Sequence, residues 1–140
     1  MRLTGEHLFT IDALLGEVVD VGTTPTGRRR VIPVVGGTVS GRLEGHVLPG
    51  GADWNLQRSD GSAELWARYE LRLLDGSAVS VTNTAVHEPD PRLPILTSPQ
   101  FDVGDGGPVW LRTGVFVGLL VPRLHQNSVR VEVHRVGWSE

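Results

Sequence analysis

Between Pro49 and Tyr69 the chain gathers the side chains best able to move a proton or hold a negative charge. Asp53 and Trp54 directly follow Pro49-Gly50-Gly51, and Glu64, Trp66, Arg68 and Tyr69 come on the next run of alternating residues. Glycines let a backbone turn sharply or approach a ligand, and carboxylates, guanidinium groups and aromatic rings beside them are what a binding pocket uses. Asp53 and Glu64 are the candidate general acids or bases. Arg68 is the candidate for holding an oxyanion, an enolate or a ligand carboxylate. Trp54, Trp66 and Trp110 are candidates to shape a cavity around an apolar body, and Tyr69, the single tyrosine, offers a hydroxyl donor. Each has a competing structural role: Asp53 capping its own turn, the tryptophans and Tyr69 as packing, and Arg68 as an exposed partner of Glu64 or Glu70.

Other chemistries find no support. The chain has no cysteine, which removes disulfides, thiolate metal sites and cysteine nucleophiles. Its five histidines, His7, His46, His87, His125 and His134, lack metal-ligand spacing, so no metal site is expected. No Gly-x-Ser-x-Gly elbow frames a serine, and the glycine-rich pieces lack the strand-to-helix setting of a dinucleotide or phosphate loop, so no cofactor is expected. A net charge of −3 gives no basic face for nucleic acid, although all 13 basic residues are arginine. No stretch approaches the ~20 apolar residues of a membrane helix and the N-terminus lacks a signal peptide's apolar core, so a cytoplasmic protein without a membrane partner is expected.

The elements that must position these residues are short strands. The length of 140 residues suits one domain spanning 1–140. His7 to Val21 favours a pair of bent strands over a short helix. Arg28-Arg29-Arg30 leads into a β-branched run, with alternation sending Arg29 away from Arg28 and Arg30; the end of a solvated strand accounts for the three. Leu65, Ala67, Tyr69, Leu71 and Leu73 share one face of a strand, and Trp66, Arg68, Glu70 and Arg72 share the other. Which face looks inward is left open by the pattern. Asp75-Gly76 suits a two-residue hairpin turn, which sets Arg68 opposite Asn83 and makes a guanidinium–carboxamide pair. Glu88 to Pro94, with its three prolines, is a loop at a rim. About eight to ten short strands at even spacing, with no confident long helix, predict an all-β fold, a closed or nearly closed antiparallel barrel.

Several of these residues also carry a family resemblance. Gly36-Gly37-Thr38-Val39-Ser40-Gly41, Val47-Leu48-Pro49-Gly50-Gly51-Ala52-Asp53-Trp54, Ala67-Arg68-Tyr69 and Asp75-Gly76 resemble the DUF3237 family, also called UPF0311. Arg28-Arg29-Arg30, Ser98-Pro99-Gln100-Phe101, Trp110-Leu111 and Phe116-Val117-Gly118 extend the likeness over nearly the whole chain. The resemblance implies a small lipocalin-like or calycin-like barrel, a homo-oligomer with a dimer as the expected form, and a small organic ligand. One departure stands out: Trp66 occupies the position, two before Arg68, where the family pattern leads one to expect an acid.

Together these readings predict a cofactor-independent isomerase or cyclase acting on a small, partly apolar organic molecule in the barrel lumen, in a biosynthetic pathway. Asp53 or Glu64 would move a proton, Arg68 with Asn83 would stabilise negative charge, and the aromatic residues would bind the substrate. The alternative is a non-catalytic binding or carrier protein of the same fold. A third possibility is a barrel packed solid that acts through its surface.

Overall fold

Alternating burial is clearest along the strand Ala63–Leu73 in the computed structural model, which describes residues Met1–Glu140. The ten strands are β1 (Arg2–Leu15), β2 (Val19–Thr24), β3 (Gly27–Gly41), β4 (Gly45–Val47), β5 (Gly51–Gln57), β6 (Ala63–Leu73), β7 (Ala78–His87), β8 (Ile95–Val103), β9 (Phe116–Arg123) and β10 (Ser128–Ser139). Neighbours run β1-β10-β9-β8-β7-β6, and every pairing is antiparallel. On the far side of β6, β4 and β5 follow one another in a single lane alongside β3. The outer half of β3 then pairs with β1 and closes the ring, so ten strands occupy eight lanes, with β2 continuing the β1 lane. Closure leaves the barrel without a long open edge. No helix is long and apolar enough to cross a membrane.

The His7 to Val21 segment forms two strands interrupted at Gly16–Val18. The strand begun at the arginines continues through Thr38 to Ser40, making β3 15 residues long, and Trp110-Leu111 lies in a 3-10 turn, Val109–Arg112.

Half of the interior is solid. Phe9, Leu71, Val79 and Val133 are fully buried there, and Phe101 packs against Phe9 and Phe116 at ring-centroid distances of 5.8 and 5.3 Å. Burying such aromatic and branched side chains contributes roughly 1.5–3 kcal/mol each. The other half holds a cavity, described below. Two glycines allow backbone segments to meet around this interior. A Cβ on Gly37 would lie 2.0 Å from the Asp12 carbonyl oxygen, at a φ of +136° where β1 and β3 cross. One on Gly51 would lie 2.5 Å from Cβ of Tyr69, so the missing side chain leaves room for the phenol.

The β6–β7 hairpin corrects the expected register. Its loop has three residues, Leu74 to Gly76: Gly76 N–H donates to the Leu73 carbonyl and Leu73 N–H donates to the Ser77 carbonyl, both at 2.9 Å. Asp75 accepts from Ser77 N–H at 2.8 Å and from its hydroxyl at 2.6 Å, and Gly76 takes a φ of +91°. A turn followed by a left-handed glycine adds one residue to the two-residue loop, and a one-residue slip changes every facing partner. Asn83 therefore faces Ala67, and Arg68 faces Thr82.

Gly76→Ala meets nothing within 4 Å and is expected to cost about 1 kcal/mol from its left-handed backbone alone. Gly37→Ala adds a backbone clash and is expected to cost about 3 kcal/mol. Urea unfolding of both variants measures the difference, and equal losses would contradict the close crossing at Gly37.

Candidate functional site

Asp53, Asn55 and Gln57 of β5 point into the barrel and alternate with Trp54, which is exposed, and Leu56, which is buried on the other face of the strand. The three polar side chains form one wall of a cavity of about 290 Å³ in the open half of the barrel. Arg30 from β3 and Asn83 and His87 from β7 complete the polar wall. Opposite stand Ala13 and Leu15 of β1, Leu120 and Pro122 of β9, and Val129 and Val131 of β10. Pro89, from the expected proline-rich rim loop, lines the same cavity. The cavity is thus apolar on one side and hydrogen-bonding on the other, the pattern of a small-molecule site.

Asp53 is the most unusual of these groups. Its Oδ1 accepts the Trp66 N–H at 2.9 Å, and the β5–β6 ladder is interrupted between the Asp53–Ala67 and Leu56–Glu64 pairs. A side chain thus replaces a backbone carbonyl as the partner of that amide. Burial raises the carboxyl above the ordinary value of 3.8, while the Trp66 amide, the Asn55 side chain, Arg30 and His87 partly offset the rise. Asp53 forms no ion pair. An unpaired, half-desolvated carboxyl in a cavity can both take and return a proton.

Around it the register sets the order of side chains. At one level of the barrel the facing residues run Ile32, Asp53, Ala67 and Asn83 across β3, β5, β6 and β7. Asn83 is 2% exposed and its Oδ1 has no hydrogen-bond partner; the Arg30 Nε is likewise buried and unpartnered. Tyr69 is buried on the cavity side, and desolvation pushes its phenol well above the usual range, so it stays a neutral hydroxyl.

The structure therefore brings together Asp53, Tyr69 and Asn83 and separates them from the other predicted residues. Glu64, Trp66 and Arg68 lie on the outer face of β6, because Leu65, Ala67, Tyr69, Leu71 and Leu73 claim the interior. Glu64 pairs there with Arg58 at 2.8 Å. Trp54 and Trp66, 38% and 43% exposed, make an edge-to-face pair at 5.6 Å on the outside. Arg68 stands over Ala52 and Thr82, not beside Asn83. Trp110 sits outside the cavity, under the Arg42 guanidinium at 4.7 Å. The lumen positions expected for Glu64, Arg68 and the three tryptophans are corrected by these placements. Trp66 contributes its backbone amide to Asp53, not its ring to a ligand.

Asn55, Gln57 and His87 were not proposed as site residues, and Arg30, expected with its neighbours at a solvated strand end, instead lines the cavity with its Nε buried. The available signal was the alternation Asp53-Trp54-Asn55-Leu56-Gln57, in which polar residues recur with period two. That pattern signals a polar-lined lumen once the strand's large residues are allowed to face out. No three His, Asp or Glu side chains converge as metal ligands would.

The family model described as "Protein of unknown function (DUF3237)" matches residues 3–95. The UPF0311 protein of Bradyrhizobium diazoefficiens is 36% identical over 149 residues, covering 96% of this chain and 97% of its own. The crystal structure of a conserved protein of unknown function from Rhodopseudomonas palustris superimposes with a TM-score of 0.87 at 33% identity, over 98% of this chain and 99% of that one. At the level of fold alone, a β-barrel-like protein of Acinetobacter baumannii matches with a TM-score of 0.87 at 24% identity, covering 98% of each chain. An enzyme from Penicillium herquei matches with 0.78 at 21% identity, covering 98% of this chain and 96% of that one.

The raised carboxyl at Asp53 gives a sign for stability against pH. The folded state holds this proton to higher pH than the unfolded chain, so wild type loses stability as pH rises from 3.8 through the raised value. Asp53→Asn keeps an acceptor for the Trp66 amide and lacks that loss. Its melting temperature is expected to rise relative to that of wild type as pH climbs through the window; a relative fall would show a depressed carboxyl.

Proposed function

The chain belongs to the DUF3237 family, and from that premise we propose that its barrel is a proton-transfer enzyme, a cofactor-independent isomerase or cyclase acting on a small, partly apolar organic molecule. The observation that carries this reading is Asp53: a carboxyl without an ion pair, raised by burial, lining a cavity that is otherwise mostly apolar. A carboxyl in that state can remove a proton from an activated C–H or O–H group. Arg30, whose Nε has no protein partner, replaces the externally placed Arg68 as the group that steadies the developing negative charge. The electron pair left on the substrate then either takes the proton back at a second atom, an isomerisation, or closes onto an electrophilic double-bonded carbon of the same molecule, whose displaced π electrons take the proton back from Asp53, a cyclisation. The apolar wall of β1, β9 and β10 holds the body of the substrate and keeps water from the anion. That the same fold serves an enzyme in Penicillium herquei is compatible with this reading.

The test needs no knowledge of the natural substrate. Wild-type protein in D2O is expected to speed deuterium incorporation next to the carbonyl of 1-tetralone or related small cyclic ketones. Asp53→Asn should lower that rate by about 100-fold or more while changing ketone affinity only a few-fold. Equal loss of rate and affinity, or a wild type no faster than buffer, would favour a binding protein without turnover.

A further inference from the structure

Asn83 is the buried group that proton transfer at Asp53 leaves unused. A sealed carboxamide oxygen without a partner costs about 1–3 kcal/mol, and here it belongs to a side chain only 2% exposed that lines the cavity. Thr97 also has an unpartnered oxygen, but a Cβ on Gly118 would lie 2.2 Å from it, so that hydroxyl is packed against β9 and does not line the cavity. Asn83 is different because of what separates it from Asp53. The residue between them, facing both, is Ala67, the smallest side chain available to an L-residue. Strands are spaced about 4.8 Å apart, so the Asp53 and Asn83 backbones stand roughly 10 Å apart with only a methyl group between. An acid, a saddle and an amide therefore lie in a row at one level of the barrel. A carboxamide matches a ligand edge that both donates and accepts, and a site with an unmet polar group discriminates strongly for the ligand that satisfies it.

We infer that the cavity takes a molecule with an apolar body and one polar edge carrying a hydroxyl beside a carbonyl, seated on Ala67 between Asp53 and Asn83. Asn83 and Ala67 are then the specificity-determining residues: the first reads the polar edge and the second leaves room for it. This deepens the proton-transfer reading and rests on it for the part played by Asp53, whereas the ligand class is decided by binding alone.

Calorimetric titration of the full chain with four molecules of one shape tests it: tetralin, 1-tetralone, 1-tetralol and 2-hydroxy-1-tetralone. Wild type is expected to bind 2-hydroxy-1-tetralone about tenfold or more tighter than tetralin, with the singly substituted compounds between them. Asn83→Leu, close to an isostere, should bring all four within about threefold of one another and melt no earlier than wild type, since it removes an unpartnered buried amide. Ala67→Leu should weaken every member by about tenfold or more by filling the saddle, with Asp53 and Asn83 both in place. The ligand class is overturned if wild type binds none of the four, if it does not rank them, if Asn83→Leu keeps the ranking, or if Asn83→Leu melts several degrees lower. Ranking retained in a protein whose Asp53→Asn variant still exchanges deuterium overturns the catalytic reading alone; the reverse pattern overturns the ligand class alone.

Discussion

One exchange of hydrogen-bond partners organises the hollow half of this barrel: the Trp66 amide donates to a carboxylate where a sheet would supply a carbonyl. A buried amide must find an acceptor, and in a closed sheet the default acceptor is the neighbouring strand. Because Asp53 fills that role, its carboxyl is fixed by backbone and drawn into an interior that disfavours its charge. The same exchange explains the position of Trp66, whose ring is committed to the outside by the alternation of β6 while its amide serves the inside. Fixing a functional side chain through the main chain of an adjacent strand places it as rigidly as the scaffold allows.

The division of the barrel into a solid half and a hollow half follows from residue size along each lane. On β6 the inward residues run Ala63, Leu65, Ala67 and Tyr69 through the cavity and then Leu71 and Leu73 through the core. On β1, Phe9 and Ile11 pack the core, and Ala13 and Leu15 border the space. The solid half supplies burial energy, and the hollow half carries the polar groups whose desolvation that energy offsets. The packed core and the polar-lined cavity thus occupy opposite ends of the same strands.

Much of the architecture was legible in the sequence, and the failures have physical causes. Leu65 to Leu73 has alternation strong enough to identify its strand, and the family-like glycines mark where strands cross, as Gly37 and Gly51 show. Asp53, Tyr69 and Asn83, singled out in the sequence, do line the cavity. Their geometry was not legible, because the β6–β7 loop gains one residue from the Asp75–Ser77 hydrogen bonds and the left-handed Gly76, and the pairing of Asn83 changes from a guanidinium to a methyl. Arg68, Glu64 and the tryptophans were assigned to the lumen on chemical promise, yet on β6 the apolar set occupies the interior. On β5 the preference inverts, with polar residues inside and Trp54 outside. Period-two alternation reports that a strand has two faces and is silent on which one a hollow barrel turns inward.

The order of side chains across β3, β5, β6 and β7 also has a handedness. Strands of L-residues twist in one sense, so acid, methyl and amide follow one another in a fixed rotational direction around the lumen. The apolar wall stands opposite this row, and under the proposed function it would keep a flat molecule from turning over while its polar edge stays engaged. A planar carbon held there would meet Asp53 from one side only. Delivery of a proton, or closure of a ring, at that carbon would then yield a single enantiomer, set by the strand order of the barrel.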